Sequence, residues 1–215
     1  MKQKFYAVKN GRNVGIYNSW AECEKEVKDF KGAKYKSFSN EQDALEWMKG
    51  DRYQKDKIFN EEEADFIIYT DGSCLKNPGA GGWAAVIIDK KTGETEEITG
   101  GENFTTNNRM ELAAALFALL HIKNNSKIVL ITDSAYLRGA FTENWIKSWQ
   151  KRKWKTSEYA EVKNRDLWEK LVSEVDRHKV NFQWVKGHAG NPQNERCDFL
   201  ARTEAKKQKN MNEMQ

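Results

Sequence analysis

Four carboxylates stand far apart in the chain, each where an acid is otherwise hard to explain: Asp71, Glu111, Asp133 and Asp198. Asp71 closes the apolar run FIIYT and opens the glycine-bearing turn DGSC; Asp133 closes the run KIVLIT. Glu111 follows the polar cluster TTNNRM and begins LAAALFALL. Asp198 lies in NERCDFLA, shortly after the stretch KGHAG that carries His188. Two acids at strand ends and two on apolar-flanked helices suit one shared cluster. Carboxylates brought together repel one another unless a cation sits among them. A divalent-metal site removes that conflict, and oxygen ligands holding two hard cations about 4 Å apart suit phosphodiester chemistry. One ion would position an attacking water and the other would stabilise the leaving oxygen. Taken singly, each acid reads equally well as a helix cap or an exposed charge. The four contexts together, with a histidine in a glycine-flanked loop, favour the cluster. Cys74 and Cys197 lie beside two of these acids, but no CxxC pair is present and the carboxylates favour a hard ion over zinc. Both cysteines are expected to be small buried packing residues.

The elements that must position these acids follow from periodicity. Residues 2–48 read as a compact unit: two strands around Asn10-Gly11, a helix SWAECEKEVKDF with Ser19 and Glu22 in capping-box spacing, a strand AKYKSF, and a helix SNEQDALEWMK with Ser39 and Gln42 in the same spacing. The charged stretch 49–64 lacks apolar periodicity and reads as a connection. From Asp65 the pattern becomes a larger α/β unit, with strands in DFIIYTDG, GGWAAVIID, ETEEITGGENF, KIVLITD and VNFQWVKG. NRMELAAALFALLHIK, SAYLRGAF, ENWIKSWQKR and RDLWEKLVSEVDRH read as helices, and Asn191-Pro192 suits the cap and first position of a last one. Three strands, a helix, a strand, helices, a strand and a helix imply a mixed sheet covered by helices.

The bulk numbers set limits without naming a partner. The 215 residues leave room for a medium domain and a small one. A net charge of +4, from 36 basic against 32 acidic residues, proves no polyanion partner, so the placement of the bases matters more than their sum. Three cysteines without paired spacing argue against a disulfide framework and for a reducing compartment. No stretch approaches the roughly 18 apolar residues of a membrane span, and no secretory signal opens the chain. A cytoplasmic protein with no membrane partner is expected.

The blocks TDGSCLKNPGAGGW, TTNNRMEL, TDS and KGHAGNPQNERCDFLA resemble, in order and spacing, the four signature blocks of type 1 ribonuclease H. The resemblance covers about residues 65–207. It implies a ribonuclease H-like α/β fold, a mixed five-stranded sheet flanked by helices, and an endonuclease that cuts the RNA strand of RNA/DNA hybrids, leaving 5′-phosphate and 3′-hydroxyl ends. Asp71, Glu111, Asp133 and Asp198 match the family's metal-binding carboxylates, which imply two Mg²⁺ ions per site, with Mn²⁺ able to substitute. On the family pattern, Asp71 and Asp198 frame the ion that activates water, Asp71 and Glu111 reach the second, and Asp133 orients the attack. His188 matches the loop histidine that serves proton transfer or product release.

Recognition of the hybrid is expected around these acids. RNA is told from DNA by 2′-hydroxyls in a wide minor groove, which calls for short polar groups at a surface. Asn77, Asn107 and Asn108 match asparagines that contact the RNA strand, although Asn also serves turns and caps. Thr106 matches a residue that grips a DNA phosphate, with Asn164 a further candidate. WIKSWQKRKWKTSEYAEVK interleaves Trp145, Trp149 and Trp154 with Lys147, Lys151, Arg152, Lys153 and Lys155, and resembles the family's basic protrusion on the DNA strand. Residues 4–48 resemble the hybrid-binding domain ahead of many cellular ribonucleases H1, with Trp20 and Tyr35 at the stacking positions and Lys36 at a phosphate contact. Ser37 stands where a second basic residue is common. The expected organisation is 1–49 hybrid-binding domain, 50–64 linker, 65–207 catalytic domain and 208–215 disordered tail, acting as a monomer. Two other readings share part of this pattern. A different nuclease of the superfamily would keep the acids without the asparagines, and a non-catalytic hybrid-binding protein should have lost an acid.

Overall fold

The computed structural model describes residues 4–49, 59–156, 159–187 and 189–213. The N-terminal part is a three-stranded antiparallel sheet in the order β2-β1-β3, built from β1 (Phe5–Asn10), β2 (Gly15–Tyr17) and β3 (Lys34–Phe38). Helices α1 (Trp20–Val27) and α2 (Glu41–Lys49) cover it. Ser19 and Glu22 form the expected capping box on α1. On α2 the cap is Asn40 rather than Ser39, because the Asn40 side chain accepts from the Asp43 amide at 2.8 Å. Either residue suits a cap, and the backbone selects the one a position closer to the helix.

The larger part is a five-stranded mixed sheet in the order β6-β5-β4-β7-β8. Its strands are β4 (Phe66–Cys74), β5 (Gly79–Asp89), β6 (Thr95–Thr105), β7 (Lys127–Thr132) and β8 (Lys179–Trp184). The helices are α3 (Asn107–His121), α4 (Ala135–Thr142), α5 (Trp145–Lys151), α6 (Arg165–Arg177) and α7 (Pro192–Glu213). β4 pairs antiparallel with β5 and parallel with β7, and β7 pairs parallel with β8. The apolar run of β7 reflects burial on both faces. Ile128 and Leu130 join the main core with α3 and α6, while Val129 and Ile131 pack with Phe59, Ala64 and Ile67 on the other side. α3 is the central helix, buried at Met110, Leu112, Leu116 and Leu119. α7 lies over the sheet through Cys197, Ala201 and Ala205, which are fully buried.

Three boundaries differ from the sequence reading. β4 does not end at Asp71 but continues to Cys74, because β5 keeps pairing with it through Cys74↔Gly81. The parallel partner β7 stops at Thr70↔Thr132, so Asp71 sits where the sheet loses one neighbour, not in a turn. Residues 59–64, expected to be linker, are packed: Phe59 and Ala64 are buried and Asn181 donates to the Phe59 carbonyl at 2.8 Å. The last helix runs to Glu213, past the point where a disordered tail was expected. Glu204 supports these turns by pairing with Lys207 and Gln208 at 3.0 Å each. Residues 50–58 of the expected linker lie outside the described residues.

Candidate active site

Asp71, Glu111, Asp133 and Asp198 come from β4, α3, the end of β7 and α7, and the fold brings the other three within electrostatic reach of Asp71. Gly72 lets α3 approach β4 closely. A Cβ on it would lie 2.2 Å from the Glu111 amide nitrogen, so only glycine lets α3 rest against β4 here. Asp71 is 9% exposed, and burial first, then the Asp133 charge, pushes its carboxyl up to about 8, with Asp198 and Glu111 adding to the rise. The Gly72 amide, donating to Asp71 Oδ1 at 2.8 Å, opposes it. Burial also raises the Glu111 carboxyl, opposed by a hydrogen bond from Ser134, and the Asp133 charge raises it further. These shifts are the signature of a carboxylate cluster short of positive charge.

Each acid is held by a neighbour. Glu111 Oε2 accepts from the Ser134 hydroxyl, and Glu111 Oε1 accepts from Asn107 Nδ2 at 2.8 Å. Ser134 also caps α4. Asp198 Oδ1 pairs with Arg202 Nε at 2.8 Å, one turn along α7. Asp133 Oδ2 lies 3.4 Å from Asn194 Nδ2, and its main-chain carbonyl accepts from Trp184 Nε1 at 3.1 Å. Among the described residues, no group of three or more His, Cys, Asp or Glu stands in metal-holding geometry. Glu111 and Asp198 direct their oxygens at Asn107, Ser134 and Arg202 instead. The donor set nevertheless fits a hard divalent cation: oxygen only, partly buried, and mutually repulsive. Arg202 would have to yield Asp198 for that acid to serve as a ligand. Cys197 Sγ donates to the Tyr69 carbonyl at 3.3 Å, and burial pushes its thiol up to about 12. Cys74 is half-buried rather than buried. His188 lies outside the described residues.

The expected substrate residues form a rim. Asn77 is exposed, and its Oδ1 accepts from the Asn107 amide at 3.3 Å; Asn108 is exposed one position on. Thr106 is the N-cap of α3, accepting from the Arg109 amide at 3.4 Å. Asn164 precedes α6 in a left-handed conformation (φ 59°, ψ 31°) and makes no side-chain cap hydrogen bond to the helix. Arg109 fixes the distance between these groups. Its Nε meets both Glu102 oxygens at 2.9 and 3.0 Å, and its two terminal nitrogens grip Asp166 at 2.9 Å each, tying β6, α3 and α6 together.

In the protrusion the tryptophans and bases separate by side. Trp145, Trp149 and Trp154 pack against the core, with Trp149 and Trp168 centroids 5.5 Å apart. Lys151, Arg152, Lys153 and Lys155 are exposed; Lys147 is half-buried. Lys151 lies 3.4 Å from Asp43 of α2. In the N-terminal unit, Trp20 and Tyr35 are 41% and 46% exposed with centroids 5.6 Å apart, so they are surface rings rather than core. Lys36, the next residue of β3, is half-buried on the other face of the strand, with Nζ 6.0 Å from the Phe38 ring centroid.

Sequence reasoning missed Ser134, Trp184, Asn194 and Arg202. A serine after a strand and before a helix signalled the Ser134 cap, and Arg202 stands four residues after Asp198 on one helix face. Trp184 and Asn194 gave no signal, since their contacts with Asp133 arise from tertiary structure.

Both the sequence and the fold have relatives among known proteins. The family model described as RNase H matches residues 63–206, and a model described as Ribonuclease H1 N-terminal domain matches residues 4–48. The Ribonuclease H of Nitratidesulfovibrio vulgaris (strain DP4) is 51% identical over 141 residues, covering 66% of this chain and 89% of its own length. That of Xanthomonas oryzae pv. oryzae (strain MAFF 311018) is 51% identical over 142 residues, covering 66% of this chain and 93% of its own. Among solved structures, LC9-RNase H1, described as a type 1 RNase H with the type 2 active-site motif, superposes with a TM-score of 0.60 at 34% identity, covering 66% of this chain and 72% of that one. The chain belongs to the RNase H family.

Proposed function

We propose that this chain exercises its ribonuclease H activity as an endonuclease on the RNA strand of RNA/DNA hybrids, through two Mg²⁺ ions for which Mn²⁺ can substitute. The observation that carries the reading is the convergence of Asp71, Glu111, Asp133 and Asp198, with Asp71 pushed up to about 8 by burial and by the other acids. These four residues would hold the ions, which when bound supply charge neutralisation and an activated water. Attack of water oxygen on phosphorus, with cleavage of the P–O3′ bond, leaves a 5′-phosphate and a 3′-hydroxyl.

The chain's own residues then divide the remaining work. Asn107 and Ser134 fix both oxygens of Glu111. Asn77, Asn107 and Asn108 present amides that can donate to and accept from a 2′-hydroxyl. Thr106 and Asn164 would take a DNA phosphate, with Trp145 buttressing the helix that ends at Lys151 and leads into Arg152 and Lys153, which would reach the same strand. His188 would receive or return a proton near neutral pH. The exposed pair Trp20 and Tyr35, with Lys36, would bind hybrid in the N-terminal unit and raise its local concentration at the catalytic domain. A division at 1–49 and 65–207, with the packed residues 59–64 and α7 to Glu213 joining the second unit, belongs to the same reading, as do a monomeric state and a cytoplasmic location. No described helix is long and apolar enough to cross a membrane.

The test is cleavage of labelled RNA/DNA, RNA/RNA and DNA/DNA duplexes in Mg²⁺. Cleavage confined to the RNA of the hybrid is expected; cutting of DNA/DNA would instead favour a different nuclease of the superfamily.

A further inference from the structure

Asp133 lies just past the end of the sheet, where the backbone ladder can no longer hold it. The last paired residues of β7 and β8 are Thr132 and Trp184. One more ladder-like bond follows, from the Val185 amide to the Thr132 carbonyl at 3.1 Å. The carbonyl of Asp133 lies beyond the last β4–β7 and β7–β8 pairs, and the Trp184 side chain donates to it: Nε1 to O at 3.1 Å. Trp184 is 46% exposed, so core packing does not explain an indole here. The ring is held from above by Arg138, whose guanidinium carbon is 5.0 Å from the ring centroid. Arg138 belongs to α4, the helix capped by the same Ser134 that holds Glu111. The Asp133 carboxylate is confined on its other side. A Cβ on Gly187 would come within 2.6 Å of Oδ2, and Asn194 approaches that oxygen at 3.4 Å.

We infer that Trp184, covered by Arg138, is a positioning residue that orients Asp133 by holding its main-chain carbonyl. The inference rests on reading Asp133 as a ligand of the divalent ion. Trp184 touches neither substrate nor ion in this role. It fixes the hinge from which the Asp133 carboxylate is presented, as outer groups do for metal ligands generally.

The discriminating experiment is calorimetric titration of Mn²⁺ into the full-length protein without substrate, in wild type, Trp184→Phe, Asp133→Asn and the double variant. Phe keeps a ring under Arg138 and removes only the N–H donor. Trp184→Phe is expected to weaken Mn²⁺ binding about tenfold, to lower kcat without changing KM for hybrid, and to cost nothing further once Asp133 is Asn. Arg138→Gln should shift affinity in the same direction by less, and it carries the test if thermal unfolding shows Trp184→Phe to be misfolded. Wild-type Mn²⁺ affinity in Trp184→Phe, or an undiminished loss in the Asp133→Asn background, would overturn the inference while leaving the site assignment intact. Unchanged Mn²⁺ binding in Asp133→Asn would instead overturn the assignment on which it rests.

Discussion

Asn107 donates its side-chain amide to Glu111 Oε1 at 2.8 Å, one helical turn away. A residue placed to read the RNA strand therefore also orients a carboxylate of the reaction centre. Reading and cutting share a hydrogen bond, so losing it should damage both. A hydrogen bond to a charged group is worth about 1.5–3 kcal/mol, so Asn107→Ala should lower kcat/KM on hybrid by roughly 10- to 100-fold. Asn108→Ala, at an exposed neighbour, should act mainly on KM. Steady-state kinetics on a short labelled hybrid separates the two.

The raised Asp71 carboxyl makes stability depend on pH in a defined direction. The unfolded chain releases this proton near 3.8, whereas the folded protein without divalent ions keeps it up to about 8. Between those values the folded state binds more protons, so the contribution of this group to stability falls as pH rises. In EDTA, Tm should be higher at about pH 5 than at about pH 8, and Asp71→Asn should reduce that slope. Mg²⁺ added at about pH 8 should raise Tm and, near neutral pH, release protons measurable by calorimetry in buffers of different ionisation enthalpy.

Arg202 competes for Asp198. The pair is 2.8 Å apart, but the Arg202 side chain is half exposed, so the contact is weak. Arg202→Met should free Asp198 and lower the Mg²⁺ concentration for half-maximal cleavage, roughly two- to fivefold. A Mg²⁺ titration of initial rates reads this directly. A rise in that concentration would show that Arg202 instead holds Asp198 in its working orientation.

Two phosphate-binding surfaces should be separable. Changing Lys151, Arg152, Lys153 and Lys155 to Gln should reduce the salt dependence of hybrid binding by about 0.9 in log–log slope for each phosphate no longer neutralised. Removing residues 1–49 should instead reduce the number of cuts per encounter, read in a trap experiment with excess unlabelled hybrid.

Much of this architecture was legible because local signals agreed with the fold. The two-sided apolar run of β7, the capping box at Ser19 and the Asn191-Pro192 start of α7 each specify an element by themselves. The site was legible as a set of residue types: the four acids sit on elements whose periodicity is clear. What stayed hidden depends on side-chain placement in three dimensions. Asp71 reads as the start of a turn because Gly72 follows it, yet that glycine serves the approach of α3, and β5 carries the strand on to Cys74. Phe59 and Ala64 sit in a charged stretch that hides their burial against β7. Trp184, 51 residues from Asp133, meets it only because β7 and β8 run parallel in register.

The central claim is that the carboxylate cluster around Asp71 cuts the RNA strand with divalent ions. The most direct measurement follows the end-labelled RNA strand of an RNA/DNA hybrid with wild type and Asp71→Asn, in Mg²⁺ and in EDTA. Wild type in Mg²⁺ should give internal cuts with 3′-hydroxyl ends, and EDTA or Asp71→Asn should abolish them while hybrid binding persists. RNA cleavage retained by Asp71→Asn, or by wild type in EDTA, would contradict the account.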